Sequence, residues 1–168
     1  MNTKTQSQLY RKELINQIKL LPTLGGFKTK GPNLIRESGD SVQILNVQSS
    51  QSTTKDLLVV TVNIGLFYKE LALRMEDPPM PRNVVDCHWW TRIGYYTEAA
   101  ADKWWSIASE GDLISASEEV CTVLRERVIP EMDNISSREG ICALWKLGST
   151  PGTLEADRKM YMATLCSS

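Results

Sequence analysis

The chain has 168 residues, of which 42% are hydrophobic and 23% are charged, and its formal net charge is −1. A chain of this length buries a sizeable core, so we expect a single domain over residues 1–168. The near-neutral charge argues against general nucleic-acid binding, and the absence of a long apolar run argues against a membrane protein.

The first third of the sequence predicts a helix and then the start of an antiparallel sheet. The helix is predicted from about Thr3 to Leu21, because apolar residues recur there every three or four positions. Two short strands follow at Phe27–Lys30 and Asn33–Arg36. A turn at Ser38–Asp40 then leads into a third strand at Ser41–Ser49.

The middle of the sequence contains the clearest strand, Leu57–Tyr68. From Val60 onward its even positions are apolar, whereas its odd positions carry the small or polar residues Thr61, Asn63 and Gly65. This alternation predicts one face packed on the core and one face of small polar groups. A proline-rich connector at Pro78–Pro81 precedes a further predicted strand through Cys87–Trp89.

Two capping boxes predict helices in the last third of the chain. Ser115 and Glu118 have the spacing of a capping box, and the helix they open should end at Pro130. A second box at Ser136–Glu139 opens a short helix that Gly148 should end.

Thr153 is then predicted to cap a last helix at Leu154–Leu165. The order of helix, adjacent strands and further helices is typical of an α+β fold. We expect an N-terminal helix, a mainly antiparallel sheet of about five strands, and C-terminal helices packed on one face of that sheet.

The four cysteines are too far apart to form a metal site with the single histidine. There is no C-x-x-C pair, so neither a bound metal nor another cofactor is expected. The polar opening of the chain does not resemble a secretory signal. We therefore expect a cytoplasmic protein in which all four cysteines are reduced thiols: Cys87, Cys121, Cys142 and Cys166.

Four of the five tryptophans and the only histidine lie in two short runs, residues 84–96 and 102–105. Alternation along a strand would place His88, Trp90 and Arg92 on one side and Cys87 on the other. The Cys-His dipeptide is therefore not expected to form a catalytic dyad.

A polar sheet face around these runs is the candidate binding site. Amide, imidazole and guanidinium groups would converge there if the strand register permits, and tryptophans would form its walls. Such a face would hold an anion or a planar ligand. The candidate residues are Asn46, Gln48, Asn63, His88, Trp90, Arg92, Trp104 and Trp105.

The same residues also have a purely structural interpretation. Buried amides pair with each other, His88 is a buried hydrogen-bonded ring, and Arg92 pairs with Asp86 or Asp102. Adjacent tryptophans such as Trp104 and Trp105 usually divide between core and surface.

The sequence lacks the common catalytic motifs. It has no G-x-S-x-G elbow, no phosphate-binding glycine loop, no dinucleotide fingerprint and no H-E-x-x-H. We therefore assign no catalytic residue and expect a protein that is not an enzyme. If catalysis does occur, His88 is the candidate general base or acid, and Arg92 would stabilise charge.

An ordered set of short motifs gives a resemblance to a known family. The motifs are Leu24–Gly31, Val42–Ser49, Thr61–Gly65, Cys87–Gly94 and Trp104-Trp105. With them the chain resembles the bacterial domain of unknown function 4304 family, over about residues 1–147, with a helical tail at 148–168 outside the resemblance. The resemblance implies a small cytosolic bacterial α+β domain, and it carries over no activity and no catalytic residues.

Two functions follow as expectations. The first is a binding or interaction module, for example a partner-binding or toxin-neutralising one. In such a module, exposed Trp, Tyr and Arg side chains act as anchors, and the acidic stretch Glu110–Glu139 meets a basic protein partner. The second is a ligand-binding or hydrolytic protein that uses the polar face around His88 and Arg92. Neither nucleic acid nor a membrane is expected as a partner, and the oligomeric state stays open.

Overall fold

The computed structural model describes residues 4–148 and 151–167. The helices are α1 (Gln6–Lys19), α2 (Lys69–Met75), α3 (Glu110–Val123), α4 (Ile129–Ile135), α5 (Arg138–Lys146) and α6 (Glu155–Leu165). The strands are β1 (Lys28–Lys30), β2 (Asn33–Ser38), β3 (Ser41–Ser49), β4 (Leu58–Tyr68), β5 (Trp89–Arg92) and β6 (Trp105–Ile107). Short 3₁₀ segments lie at Pro22–Leu24, Val84–Asp86 and Ile93–Tyr96, and a π-helical turn lies at Leu124–Val128.

The strands form one six-stranded sheet in the order β1-β2-β3-β4-β5, with β6 paired to β4. The β1–β2, β2–β3 and β4–β6 pairs are antiparallel. Gly39 has a positive φ of 56° in the turn between β2 and β3, a backbone conformation that favours glycine. The predicted α+β fold, with an N-terminal helix, an antiparallel sheet and C-terminal helices, is confirmed.

The chain divides into two compact units. Unit 1 comprises Met1–Phe27, Val47–Val62 and Arg92–Ile129, and unit 2 comprises Lys28–Asn46, Asn63–Thr91 and Pro130–Ser168. The single domain over residues 1–168 stays a prediction.

In unit 1, helix α1 begins where Thr5 caps it. The Thr5 hydroxyl accepts a hydrogen bond from the Gln8 backbone N–H, and the Gln8 side chain accepts one from the Thr5 N–H. This reciprocal cap starts the helix later than predicted, and Thr3 itself lies outside the described residues. The predicted apolar stripe is confirmed, since Tyr10, Leu14 and Ile18 are buried.

Helix α3 begins five residues before the predicted start at Ser115. The Ser109 hydroxyl accepts the Asp112 N–H and caps the helix, so the Ser115–Glu118 pair lies within it. The predicted end at Pro130 is also wrong. Pro130 is the second residue of α4, where a missing backbone N–H is tolerated, and the π-helical turn Leu124–Val128 connects α3 to α4.

Strand β4 is buried on both faces, so its face of small polar groups, Thr61, Asn63 and Gly65, is covered as well as its apolar face. Gly65 shows the reason. A Cβ at this position would lie 2.7 Å from both the Cys87 Sγ and the Val84 Cγ2. The segment that carries Val84 and Cys87 therefore covers this side of the strand, and only glycine permits so close an approach.

The two C-terminal helices also differ in detail from the prediction. Ser137, rather than Ser136, caps α5 by accepting the Gly140 N–H, and Leu154, rather than Thr153, precedes the first turn of α6. A disulfide joins Cys142 and Cys166, so the expectation of reduced thiols is wrong for these two residues.

Candidate functional site

The eight residues of the predicted polar face divide between the two units. Unit 2 contains Asn46, Asn63, His88 and Trp90, and unit 1 contains Gln48, Arg92, Trp104 and Trp105.

A row of three asparagines crosses the sheet in unit 2. Asn46 Nδ2 donates to Asn33 Oδ1 at 2.6 Å, and Asn63 Nδ2 donates to Asn46 Oδ1 at 3.1 Å. The expected meeting of Asn46 and Asn63 is confirmed, and so is the expectation that such amides pair with each other. Asn33 was missed, although the tight turn at Gly39 places it directly opposite Asn46 in the β2–β3 pair. We call these three residues the amide row.

His88 is a buried ring with 5% of its surface exposed. Its Nδ1 accepts a hydrogen bond from the Tyr68 backbone N–H at 3.0 Å, and its ring packs on Phe67 and, edge-on, on Tyr161. Burial lowers the pKa of His88 to about 4, although the carboxylate of Asp77, 3.9 Å from Nε2, favours the charged form. At neutral pH the imidazole is therefore uncharged, and Nδ1 is engaged by the backbone.

Cys87 lies next to His88 in the chain, but its thiol has different neighbours. The Sγ atom lies 4.0 Å from the Asn83 carbonyl oxygen and close to Gly65. Burial raises the pKa of the Cys87 thiol far above its usual range, so the thiol is protonated at neutral pH. This agrees with the expectation that the Cys-His dipeptide is not a catalytic dyad.

Trp90 is the exposed tryptophan of strand β5. Its backbone N–H donates to the Gly152 carbonyl at 2.8 Å, while the neighbouring Trp89 is buried. Observed burial therefore alternates within β5, but the strand begins only at Trp89. His88 precedes it, and its ring is buried rather than placed on the exposed side with Trp90.

In unit 1, Arg92 and Trp104 form a stacked pair at the surface. The guanidinium carbon lies 5.2 Å from the centre of the indole ring. Both side chains also donate to Asp102 Oδ2, Arg92 at 2.7 Å and Trp104 at 3.3 Å. Asp102 was one of two predicted partners for Arg92 and is confirmed. The other, Asp86, instead accepts from backbone N–H groups of its own turn.

Trp105 is buried and hydrogen-bonded, in contrast to its neighbour Trp104. Its indole N–H donates to Glu119 at 2.8 Å, and the Lys103 ammonium lies over the ring and pairs with the same carboxylate. Burial disfavours ionisation of Glu119, but the hydrogen bonds from Lys103 and Trp105 outweigh it and lower the pKa. Gln48, the remaining candidate, lies half-buried in β3.

A groove with a volume of about 520 Å³ lies between α1 and α3 in unit 1. Leu20 and Ile114, on opposite sides of it, have 74% and 59% of their surfaces exposed. Ser117 is 7% exposed, and its hydroxyl has no hydrogen-bond partner in the described part of the chain. The α1–α3 groove is lined by Glu13, Gln17, Leu20, Leu21, Leu113, Ile114, Ser117, Glu118, Cys121, Thr122 and Arg125.

A second depression, of about 780 Å³, lies beside the groove in unit 1. Glu118 and Thr122 line both cavities, so helix α3 separates them. Four of its residues are carboxylates and two are cations, and we call it the acidic depression. Its charged residues are Glu98, Glu118, Glu119, Glu126, Lys103 and Arg127.

Sequence reasoning missed both cavities. The apolar stripe of the first helix was assigned to the core, and Leu20 lies outside that stripe. An apolar residue on the polar side of an amphipathic helix was the available signal. Ile114 gave no such signal, because helix α3 was predicted to begin only at Ser115, one residue later.

Unit 2 contains a smaller cavity of about 220 Å³. It is lined by Phe67, Asp77, Pro78, Met80, Arg82 and Asp86. Phe67 and Asp77 also touch the His88 ring, but His88 itself does not line the cavity. None of the eight predicted site residues lines this cavity, the groove or the acidic depression.

Within residues 4–148 and 151–167, no group of three or more His, Cys, Asp or Glu side chains is arranged to hold a metal ion. No helix in these ranges has both the length and the apolar character needed to cross a bilayer.

The fold and these sites define an α+β protein with an antiparallel sheet, a buried histidine and a surface groove between two helices. The chain belongs to the family described as Domain of unknown function (DUF4304), which it matches over residues 23–134. The match begins after α1 and ends within α4, so it is shorter than the resemblance expected over residues 1–147. No curated protein and no solved structure matches the chain.

Proposed function

We propose that the protein is a binding module whose α1–α3 groove accepts a helical segment of a protein partner. The observation that best supports this proposal is the exposure of Leu20 and Ile114 along a groove of about 520 Å³. Apolar side chains that border a groove gain free energy when a partner covers them, by about 25 cal/mol for each Å² removed from water.

The spacing of the lining residues favours a helix as the occupant. They lie at positions 13 and 17 of α1, at 20 and 21 directly after its end, and at 113, 114, 117, 118, 121 and 122 of α3. These intervals of three and four residues place them along one side of each helix, so together they line an elongated groove. An amphipathic helix that lays its apolar face into such a groove uses the same spacing.

The alternative, a ligand-binding or hydrolytic protein on the polar face, has less support. A general base must reach a proton of its substrate, whereas His88 is buried and its Nδ1 is engaged by the Tyr68 backbone. Arg92 is paired with Asp102 and stacked on Trp104. The Arg92–Trp104 pair therefore fits better as an auxiliary contact for a protein partner than as a charge-stabilising group.

A bacterial origin and a cytoplasmic location belong to the same proposal: the origin follows from the family resemblance, and the location from that resemblance and from cysteines expected to be reduced thiols. The Cys142–Cys166 disulfide weighs against the location, because cytosolic thiols are usually kept reduced. Alkylation of the protein in cells lysed under acid quench decides the point. Four modified cysteines support the cytoplasm, and two refute it.

A synthetic peptide tests the binding module directly. The probe is a fluorescent helical peptide with leucines at i, i+4, i+7 and i+11 and with uncharged alanine and glutamine elsewhere. We expect a dissociation constant of the order of 10 µM by fluorescence anisotropy. Ile114→Gln should weaken binding about tenfold, whereas Leu73→Gln, which alters an even more exposed apolar residue on α2, should leave it unchanged.

Two results would overturn this proposal. One is no binding at millimolar concentrations of peptide, and the other is equal weakening by the two variants. A concentration-dependent dimer in sedimentation that Ile114→Gln abolishes would also overturn it, because a second copy would then occupy the groove.

A further inference from the structure

The charges around the α1–α3 groove identify the kind of segment that fits it. Resting on the proposed function above, we infer that the helical segment in the groove is basic, with Lys or Arg flanking its apolar face. The inference follows from the number, position and pairing of the ionisable groups that border the groove.

Two carboxylates and one guanidinium line the groove itself: Glu13, Glu118 and Arg125. Arg125 is already paired, since its Nη2 lies 3.0 Å from an oxygen of Glu126. Hydrogen bonds from Gln17 and Asn16 lower the pKa of Glu13, so this carboxylate is ionised at neutral pH. The groove is therefore bordered by negative charge on both helices.

The acidic depression adds Glu98 to this negative border, whereas its Glu126 is the partner of Arg125. Lys103 pairs there with Glu119, and Arg127 donates to the Tyr96 carbonyl oxygen at 2.7 Å. Glu118, which borders both cavities, is exposed and has no ion-pair partner within the described ranges. It is thus the carboxylate best placed to receive a cation from an incoming segment.

The lysines of α1 do not line the groove. Lys12 and Lys19 each precede a lining residue, Glu13 and Leu20, by one position. Lys12 is close enough to favour the charged form of the Glu13 carboxylate, but neither Lys12 nor Lys19 is among the residues that line the groove.

The floor of the groove provides a second, independent indication of a ligand. The buried hydroxyl of Ser117 has no hydrogen-bond partner in the described chain, and leaving such a group unpaired is unfavourable. Its oxygen accepts a hydrogen bond from an ammonium or guanidinium group that enters the groove. A basic side chain among the apolar ones therefore donates a hydrogen bond to the Ser117 hydroxyl and also neutralises the carboxylates that border the groove.

Three peptides that differ only in charge test the inference. They share the leucine face described above and carry Lys, Gln or Glu at the positions flanking it. At about 50 mM salt we expect the Lys peptide to bind about tenfold more tightly than the Gln peptide, and the Glu peptide to bind about tenfold more weakly. At about 1 M salt the three affinities should converge.

Matched variants assign the effect to the groove. Glu118→Gln should reduce the preference for Lys over Gln several-fold, whereas Glu139→Gln, the same change of charge at an exposed position in α5, should not. Equal affinities for all three peptides would overturn the inference and leave the proposed function intact. Failure of all three to bind would overturn the proposed function itself, and equal effects of the two variants would show a response to net charge alone.

Discussion

Acid should destabilise this protein through its only histidine. Burial lowers the pKa of His88 from 6.5 to about 4, so the unfolded chain takes up this proton at a higher pH than the folded protein does. The free energy of unfolding is therefore constant, for this group, above pH 6.5 and falls as the pH drops toward 4.

The size of the effect follows from the two pKa values. At pH 5 nearly all of the unfolded imidazole is protonated, but only about a tenth of the folded one. Proton linkage then gives a loss of about 2 kcal/mol between pH 8 and pH 5, rising to about 3 kcal/mol near pH 3. The group is almost wholly buried, so solvent does not screen this contribution.

Urea unfolding between pH 8 and pH 5 measures the loss, and His88→Asn is its control. Asparagine does not titrate, and its side-chain oxygen takes the place of Nδ1 as an acceptor for the Tyr68 N–H. Because carboxylates titrate in both proteins, the difference between the two acid slopes isolates the histidine. His88→Ala, which removes the acceptor, should lower stability by about 1–3 kcal/mol even at pH 8.

Proton NMR provides the second measurement. A single histidine makes the imidazole resonances unambiguous, and in the folded protein they should shift with a midpoint near pH 4. A midpoint near 6.5 would refute the reasoning, as would an acid slope in His88→Asn equal to that of the wild type.

Three further predictions concern covalent, steric and polar contacts. Cys142→Ser opens a loop with a sequence separation of 24 and should lower stability by about 3.5 kcal/mol, as should a dithiol reductant on the wild type; unchanged urea midpoints would contradict this. Gly94→Ala places a Cβ 2.2 Å from the Ala101 carbonyl oxygen and should lower the stability of the fold by more than about 2 kcal/mol. Gly111→Ala, with no neighbour nearer than 3.7 Å, should be neutral or slightly stabilising. Similar melting temperatures for the two variants would argue against the close packing at Gly94. Asn46→Ala removes the centre of the amide row and should lower stability by about 1–3 kcal/mol, and a neutral result in chemical denaturation would mean that the row is not hydrogen-bonded as described.

Several features of this protein are determined by residues close together in the sequence. Helix α1 can be predicted from the apolar stripe of Tyr10, Leu14 and Ile18 and from Pro22, which ends the helical pattern. This works because a helix is specified by contacts three and four residues apart. The turn at Gly39 likewise fixes the β2–β3 register, and with it the meeting of Asn33 and Asn46.

Competing local signals explain the errors in the helix boundaries. Ser109 and Ser115 can each cap the N-terminus of α3, and the adjacent residues Ser136 and Ser137 can each cap that of α5. For the second pair, the choice follows from what else the serine contacts. Ser136 is engaged by the buried amide of Gln43, 93 positions away in the sequence, which leaves Ser137 to cap α5.

Only the tertiary structure decides what covers each surface. Alternation groups Thr61, Asn63 and Gly65, but each is covered by a different distant residue: Thr61 by Lys103, Asn63 by Asn46 and Gly65 by Cys87. His88 is likewise a plausible base in the sequence, and it becomes a buried acceptor only because Tyr68 and Tyr161 come from elements distant in the chain. The α1–α3 groove is created by two helices about 100 residues apart. Periodicity and caps act over a few residues and can be read from the sequence, whereas burial depends on which distant segments pack together.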